Sequence, residues 1–557
     1  MNIGILKENV SGEARVALMP DSVQKLVALK ASVSIETNAG LGAARTDEDY
    51  VAAGAAIVAD RNAVIATADI LVVVNRPSSE DFGKLKPGAV VLGFDPTHRS
   101  WVTSAAAAGA ISIPHLDGVL LTDPTSLATY SDDFGNFIRR TPRAVLLPAS
   151  IEDVVTAIRF CRQHGIKVVG RGKSHSSGGQ SLIQGGLLID VSTLNQIENI
   201  SSSSATVQAG VTLSELLAAS IPLGHRPKVV TGVVGLTVGG VLSMGGIGPA
   251  SYRHGAVVDN VIEIDVVTGK GELKTCSDTK NPLLFAAVIG GIGEYGVIVR
   301  AKLKMQAAPP LARNYLIGYF DLDVMLADAN TLTSNQRVDG IYLRIFPDGN
   351  GGWIYGINAV KFFSPSAPPN DAQVLAGMNF PPPALTVLDM DAYSYDSFAD
   401  NVIFGALKQQ GLYDIPHVWG DVFLPASKMR DFVVASLQNL TAAELGPDGG
   451  FILLFPVKNM FPETIAFRLP REEKVFLFDI LTSGSFTDPN YVSTHLAKAR
   501  SVFEQARAIG GTLYPIGSTP MSKNDWIRQY GAIYPALALA KTLFDPDHVL
   551  TPGVDIF

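Results

Sequence analysis

Residues 169–182 read VGRGKSHSSGGQSL, and the reading of this stretch decides how the rest of the chain is parsed. The β-branched run from Ile166 to Val169 predicts a strand entering a loop that carries Gly170, Gly172, Gly178 and Gly179, with Arg171, Lys173 and His175 between them. Glycines let backbone amides approach a ligand with no Cβ in the way, which suits a diphosphate. The spacing is neither GxGxxG nor GxxxxGK[ST], so the loop is neither a nicotinamide dinucleotide fingerprint nor a P-loop. Taken alone, the same composition also describes an ordinary surface loop.

Composition admits a large, well-cored protein. At 557 residues the chain exceeds what one hydrophobic core usually supports, so two or three domains are expected. Hydrophobic residues make up 47% and charged residues 17%, and a net charge of −8 gives no steering towards nucleic acid or an anionic membrane. Cys161 and Cys276 are too few for a disulfide framework, and with nine histidines they show no metal-ligand spacing, so no metal is expected. Lys7 and Glu8 make the N-terminal stretch too polar for a secretory leader. No apolar run reaches the roughly 18 residues of a membrane helix. The cytoplasm is the expected compartment.

Patterning divides the chain further. Strands are predicted at Ile3–Ile5, Val33–Thr37, Asp69–Val74, Ala89–Phe94 and Ala110–Ile113, with helices at Pro20–Leu29, Asp47–Ala55 and Trp101–Ala108. Such alternation indicates a Rossmann-like α/β unit around a parallel sheet, assigned to residues 1–122. Ser150 is set to cap a helix running to His164, with Asp153 at its third position. Strand and helix alternate again to about Leu303. After Pro309-Pro310 the texture changes to aromatic strands, Ala312–Tyr319 and Gly352–Tyr355, and to proline-rich breaks at Ser364–Asn370 and Pro381–Pro383. Helices at Asp400–Gln410 and Lys428–Leu437 and strands at Phe451–Val457 and Lys474–Ile480 complete an α+β domain.

A second stretch, Gly235 to Arg300, joins the first. Arg171 to Gln180 reads as an RGxxHSxxGQ loop; Leu236-Thr237-Val238-Gly239-Gly240, Arg253-His254-Gly255, the hairpin from Asn260 to Gly269 and Gly290 to Gly296 follow, and the chain closes with Asp545-Pro546 and Leu550-Thr551-Pro552-Gly553. In this order the motifs resemble the vanillyl-alcohol-oxidase-type FAD-linked oxidases, and among them the cytokinin dehydrogenases. The resemblance implies a PCMH-type FAD-binding domain at 123–309, an inserted α+β substrate domain at 310–510, and a return to the FAD domain at 511–557.

The N-terminal segment resembles instead the first part of alanine dehydrogenase and of the proton-translocating transhydrogenase alpha subunit, through Ile5-Leu6-Lys7-Glu8, Glu13 to Leu18, Ala39 to Gly42 and Asp47 to Ala55. There, the arginine matching Arg15 binds a keto-acid carboxylate, but a required lysine falls on Asn75, and no glycine-rich nucleotide half follows. A scaffold or interface without NAD is expected, with anion binding by Arg15 as the alternative.

By the resemblance, FAD is expected to be attached covalently through His175 and to lie among Arg171, Gly172, Lys173, Ser174, Ser176, Gly179, Gln180, Thr237, Gly239, Gly240, Ser243, Gly246, Ile298 and Gly553, with His254 on the flavin side. The aspartate that accepts the substrate proton in cytokinin dehydrogenases falls on Gly232, and a second acidic residue on Asn330. Glycine has no proton-accepting group, so that mechanism does not carry over. Candidates for the work are Tyr393, Tyr395, Asp396, His417 and Asp421, with Trp419 as a pocket wall. The expected activity is hydride transfer from a C–N or C–O carbon of a small or medium organic substrate other than cytokinin to flavin N5, with oxygen or another electron acceptor closing the cycle. A bifunctional enzyme, or a flavin-binding protein without catalysis, are the alternatives. The resemblance leaves a homodimer open.

Overall fold

A computed structural model describes the chain except positions 11, 76, 87, 95–99, 105–110, 113, 447–449, 461–464, 483, 485–487 and 552. It divides into two compact units, Met1–Asp117 and Gly118–Phe557.

The first unit is built on one sheet in the order Ala56–Val58, Ser32–Glu36, Asn2–Ile5, Ile70–Val73, Val90–Phe94, Ser100–Ser104, Ile111–Ser112. The first five strands are parallel, and their apolar residues Ile3, Ile5, Val33 and Ile35 pack with Tyr50 into a buried core. The helix expected to run to Ala55 stops at Ala52, because Gly54 turns the backbone into the left-handed region at φ +92° and starts the unforeseen strand Ala56–Val58. The helix expected at Trp101–Ala108 is also corrected. Ser100–Ser104 is a strand, antiparallel to Val90–Phe94, as its β-branched and aromatic SWVTS run favours; the alanines at 105–108, which suggested a helix, lie outside the described residues.

Three sheets form the second unit. A four-stranded sheet runs Val168–Arg171, Leu187–Asp190, Ala144–Leu147, Val119–Leu121. The helix Ile151–Gln163 above it begins with the foreseen cap, Ser150 and Asp153 exchanging side-chain and backbone bonds. A second sheet runs Ile197–Ile200, Ser204–Gln208, Gly296–Ala307, Val261–Thr268, Leu273–Cys276, and the last pair is the foreseen hairpin. The third sheet has eight strands: Leu385–Asp391, Leu311–Tyr319, Trp353–Phe363, Gly340–Pro347, Phe451–Lys458, Lys474–Leu481, Gly420–Pro425 and Thr512–Leu513. Helices Leu322–Ser334, Ala426–Gln438 and Tyr491–Ala508 pack on this third sheet.

The C-terminal segment is tied back by a buried charge knot. Lys541 Nζ donates to Glu294 Oε2 at 2.7 Å and to the carbonyls of Glu294 and Leu550 at 2.8 Å, and lies 3.0 Å from Asp545. Asp545 in turn accepts from the amides of Val549 and Leu550. Burial pushes Glu294 up to about 7 despite the lysine. Lys541→Met would leave two buried carboxylates facing each other without a cation, and urea denaturation is expected to show a loss of about 3–5 kcal/mol; a midpoint unchanged from wild type would contradict that account.

Candidate active site

The glycine-rich loop is held by groups far from it in sequence. Asp133 accepts from the amides of Gly135 at 3.0 Å and Gly179 at 2.7 Å, and burial pushes its carboxyl up to about 6 even so. Gln180 Nε2 donates to the carbonyls of Pro515 and Gly517, both at 2.9 Å, while its Oε1 accepts from the Gly178 amide. Ser174 pairs with Ser181, and Ser177 with Ser518. Gly179 sits at φ +80°, and a Cβ on Gly172 would stand 2.1 Å from Thr237 Oγ1, so both positions need glycine.

Of the residues named for the cofactor, several turn out to bond within the protein. Arg171 donates to the carbonyls of Tyr130 and Asp132, and Lys173 is exposed. Thr237 caps the helix Val238–Met244 through the Gly240 amide; Gly239 lies against Ala209, where a Cβ would come within 2.8 Å; and Ser243 donates to the Gly239 carbonyl. The Gly246 amide donates to the Tyr514 hydroxyl at 3.2 Å. Ile298 is buried in its strand opposite Val266, and the Gly553 amide donates to the Gln180 carbonyl at 3.4 Å. His254 ends a short helix that packs on the strand Phe451–Lys458.

Two features of the loop point outward to a ligand. Among the described residues, the backbone amides of Lys173, Ser174, His175 and Ser176 donate to no protein group. The His175 Nε2 is sealed from solvent with no hydrogen-bond partner, and its ring packs on Phe134, Phe404 and Trp419 at centroid distances of 4.3, 5.2 and 5.9 Å. Burial, then the nearby His417, lowers this imidazole to about 4, so it is neutral at physiological pH. A run of open amides fits FAD, whose diphosphate needs donors.

Facing the loop is one side of the eight-stranded sheet. By the two-residue repeat, Asp421 and Phe423 point the same way, and Phe423 meets Tyr514 and Phe467. Asp421 lies opposite Asp479 on the neighbouring strand, with both fully or almost fully buried. Paired in register on adjacent strands, the two side chains emerge on the same side of the sheet. Among the described residues, none supplies a donor to either oxygen of Asp421 or to Oδ1 of Asp479. Burial pushes Asp421 up to about 7, and burial together with the Asp421 charge pushes Asp479 well up. Asp479 had no motif to mark it. Only a charge in the otherwise apolar run VFLFDIL distinguishes it.

The other named candidates sit differently. Both oxygens of Asp396 accept from Arg226 Nη2 at 2.8 Å, which occupies them in a buried ion pair. Tyr393 pairs with Ser214, whereas the Tyr395 hydroxyl is buried without a hydrogen-bond partner among the described residues. His417 stacks on Phe134 at 4.5 Å, and its Nε2 meets the Tyr413 carbonyl. A Cβ on Gly232 would meet only Phe455, at 3.4 Å, so the position is open. Asn330 is exposed on the helix Leu322–Ser334, where it accepts from Lys474. In the first unit, Arg15 is chelated by Glu13 at 2.6 and 2.7 Å, and Asn75 bonds Glu8 and Glu13. The anion site considered for Arg15 is therefore taken by the protein's own carboxylate.

The acid pair makes stability depend on pH. A carboxyl raised from 3.8 to about 7 in the folded state contributes stability that is full below the unfolded value and is lost as pH rises through the folded one. Asp421→Asn carries no such proton, so its melting temperature should gain on wild type between pH 4 and 7. Parallel melting curves across that range would refute the assignment.

Comparison with known proteins agrees with this geometry. Residues 142–277 match the FAD binding domain family, residues 314–557 the family described as cytokinin dehydrogenase 1, FAD and cytokinin binding, and residues 4–125 the alanine dehydrogenase/PNT N-terminal domain. The uncharacterized oxidoreductase ORF5 in the fasciation locus of Rhodococcoides fascians is 34% identical, over 79% of this chain and 99% of its own. Cytokinin dehydrogenase 1 of Oryza sativa subsp. japonica is 31% identical, over 81% of this chain and 94% of its own. The solved structure of 6-hydroxy-D-nicotine oxidase from Arthrobacter nicotinovorans shares the fold, with a TM-score of 0.62 at 18% identity over 79% of this chain and 98% of its own. The chain belongs to the FAD-linked oxidoreductases of the cytokinin dehydrogenase family, and it carries in addition an N-terminal domain of the alanine dehydrogenase/PNT type.

Proposed function

We propose that the protein oxidises a small or medium organic donor at a carbon bearing nitrogen or oxygen, that its FAD is attached through His175, and that the pair Asp421–Asp479 takes the donor's proton. When bound, FAD supplies the hydride acceptor at N5 and is reoxidised by oxygen or another electron acceptor. The amides of Lys173 to Ser176 hold its diphosphate, and Trp419 and Phe134 close the aromatic wall around the link. The donor loses a hydride from carbon and a proton from its N–H or O–H, forming C=N or C=O. That proton passes to the acid pair.

The observation that carries this reading is the buried acid pair, three of whose oxygens have no hydrogen-bond partner among the described residues, on the face where Trp419 meets His175. It supplies the carboxylate that Gly232 lacks, but from the sheet instead of from the loop before Leu236. In this reading cytokinin is not the donor, because position 232 offers no proton-accepting group to its amine. The chelated Arg15 speaks against a second, keto-acid activity. Two buried free thiols, Cys161 and Cys276, agree with the reducing cytoplasm.

Acid-precipitated, washed protein should stay yellow, and His175→Ala should release the colour; colourless wild-type precipitate would exclude the bond. In anaerobic stopped flow, isopentenyladenine should bleach the flavin at most very slowly. A donor found on a panel of amines, alcohols and amino or hydroxy acids should bleach it on the turnover timescale. Asp421→Asn should slow that bleaching by about a hundred to ten thousand fold. Undiminished bleaching in both Asp421→Asn and Asp479→Asn would remove the pair from the reaction.

A further inference from the structure

Arg344 is an arginine without a counter-ion on the same face. It lies in the strand Gly340–Pro347, where Ile341, Leu343 and Ile345 are fully buried on one side and Tyr342, Arg344 and Phe346 alternate onto the other. Its Nε is sealed from solvent and has no hydrogen-bond partner among the described residues. Among the described residues no carboxylate forms an ion pair with it, whereas Arg226 and Arg313, which also border this sheet, are paired with Asp396 and with Asp371 and Asp389. The guanidinium carbon stands 5.1 Å from the ring centroid of Phe346 and 5.9 Å from that of Tyr342, so aromatic faces flank the cation.

The register sets this arginine in line with the acid pair. Arg344 pairs with Leu453, Leu453 with Asp479, and Asp479 with Asp421, one residue per strand across four neighbouring strands. At about 4.8 Å per strand the backbones of Arg344 and Asp479 are roughly 10 Å apart. Leu453 lies between them, and Phe455, two residues on, meets the open position at Gly232 and the ring of Tyr342 at 5.6 Å. One row thus offers a cation, an apolar floor and a proton acceptor.

We propose that the donor carries a carboxylate, bound by Arg344, with its oxidisable C–H and its N–H or O–H directed to Asp421 and Asp479. The proposal rests on the reading of this face as the donor site. A guanidinium fork matches a planar carboxylate with two parallel hydrogen bonds. Leaving the cation half-buried and unpaired costs free energy that an anionic ligand recovers. The acid pair lies two and three strands away in the register, and among the described residues neither of its carboxyls forms an ion pair with Arg344. Amino acids, hydroxy acids and N-substituted amino acids are the donor classes that combine the two groups.

The test uses non-oxidisable probes and does not depend on turnover. Benzoate and phenylacetate are compared with benzamide and phenylacetamide by calorimetry and thermal shift, in the full-length protein as purified. Wild type should bind each acid about tenfold or more tighter than its amide. Arg344→Gln should bring the ratio close to one, and Arg344→Lys, which keeps the charge but loses the fork, should fall between them. Equal binding of acid and amide by wild type, no binding of either acid, or an undiminished preference in Arg344→Gln would overturn the proposal. If Arg344→Gln fails to fold, Arg344→Lys alone decides, by a reduced or an unchanged ratio. The colour of the washed precipitate reports separately on FAD. Yellow protein without acid preference rejects the carboxylate site and spares the flavin reading. Colourless protein with an Arg344-dependent preference does the reverse.

Discussion

Asp133 takes two amides at once, one from Gly135 beside it and one from Gly179 within the glycine-rich loop, and these two bonds fix the platform on which the site is assembled. A loop rich in glycine and serine has large conformational freedom to lose on ordering. The carboxylate, and Gln180 reaching to Pro515 and Gly517, supply the enthalpy that holds one arrangement. The anchors beyond Leu513 continue into the sheet, since the Tyr514 amide donates to the Asp421 carbonyl and the Tyr514 hydroxyl accepts from Gly246. His175, Trp419 and Asp421 thus owe their mutual placement to a few hydrogen bonds between segments more than three hundred residues apart. Asp133 is forced up towards the neutral form by the burial this requires, a local instability retained for positional accuracy.

A carboxylate on a flexible loop and a carboxylate pair inside a sheet are different proton acceptors. The first is solvated, ionised and ready at neutral pH. The second is held towards the protonated form, chiefly by burial and, for Asp479, by the charge of its neighbour as well. Glycine at position 232 leaves the space above Phe455 open.

Local signals were legible in the chain wherever a short-range rule operates. The Ser150 cap, the hairpin after Asn260 and the strands from Leu311 to Tyr319 and from Phe451 to Lys458 follow from capping chemistry and alternation. Trp101 to Ser104 misled because an alanine run beside it outweighed the strand preference of its own residues, and the partner strand Val90–Phe94 decided the outcome. His175 was marked out by its motif, and the structure sets its ring among Phe134, Phe404 and Trp419. Asp479 and Arg344 were not so marked, because their meaning lies in register: nothing in the sequence says that position 344 pairs with 453 and 453 with 479. Asp396 shows the converse, a carboxylate conspicuous in sequence whose charge is spent on Arg226.

The row from Arg344 to Asp421 also constrains how such a site can change over evolutionary time. Each strand contributes one side chain to it, and inserting or deleting a single residue in any of the four would turn that strand's contribution to the helix-covered side of the sheet. Diversification among relatives must therefore proceed by substitution within an unchanging strand length, with gains and losses of sequence confined to the connections. The glycine-rich loop, anchored independently, can stay constant while the row is rewritten, so new substrate preferences can arise without relearning how to hold the cofactor.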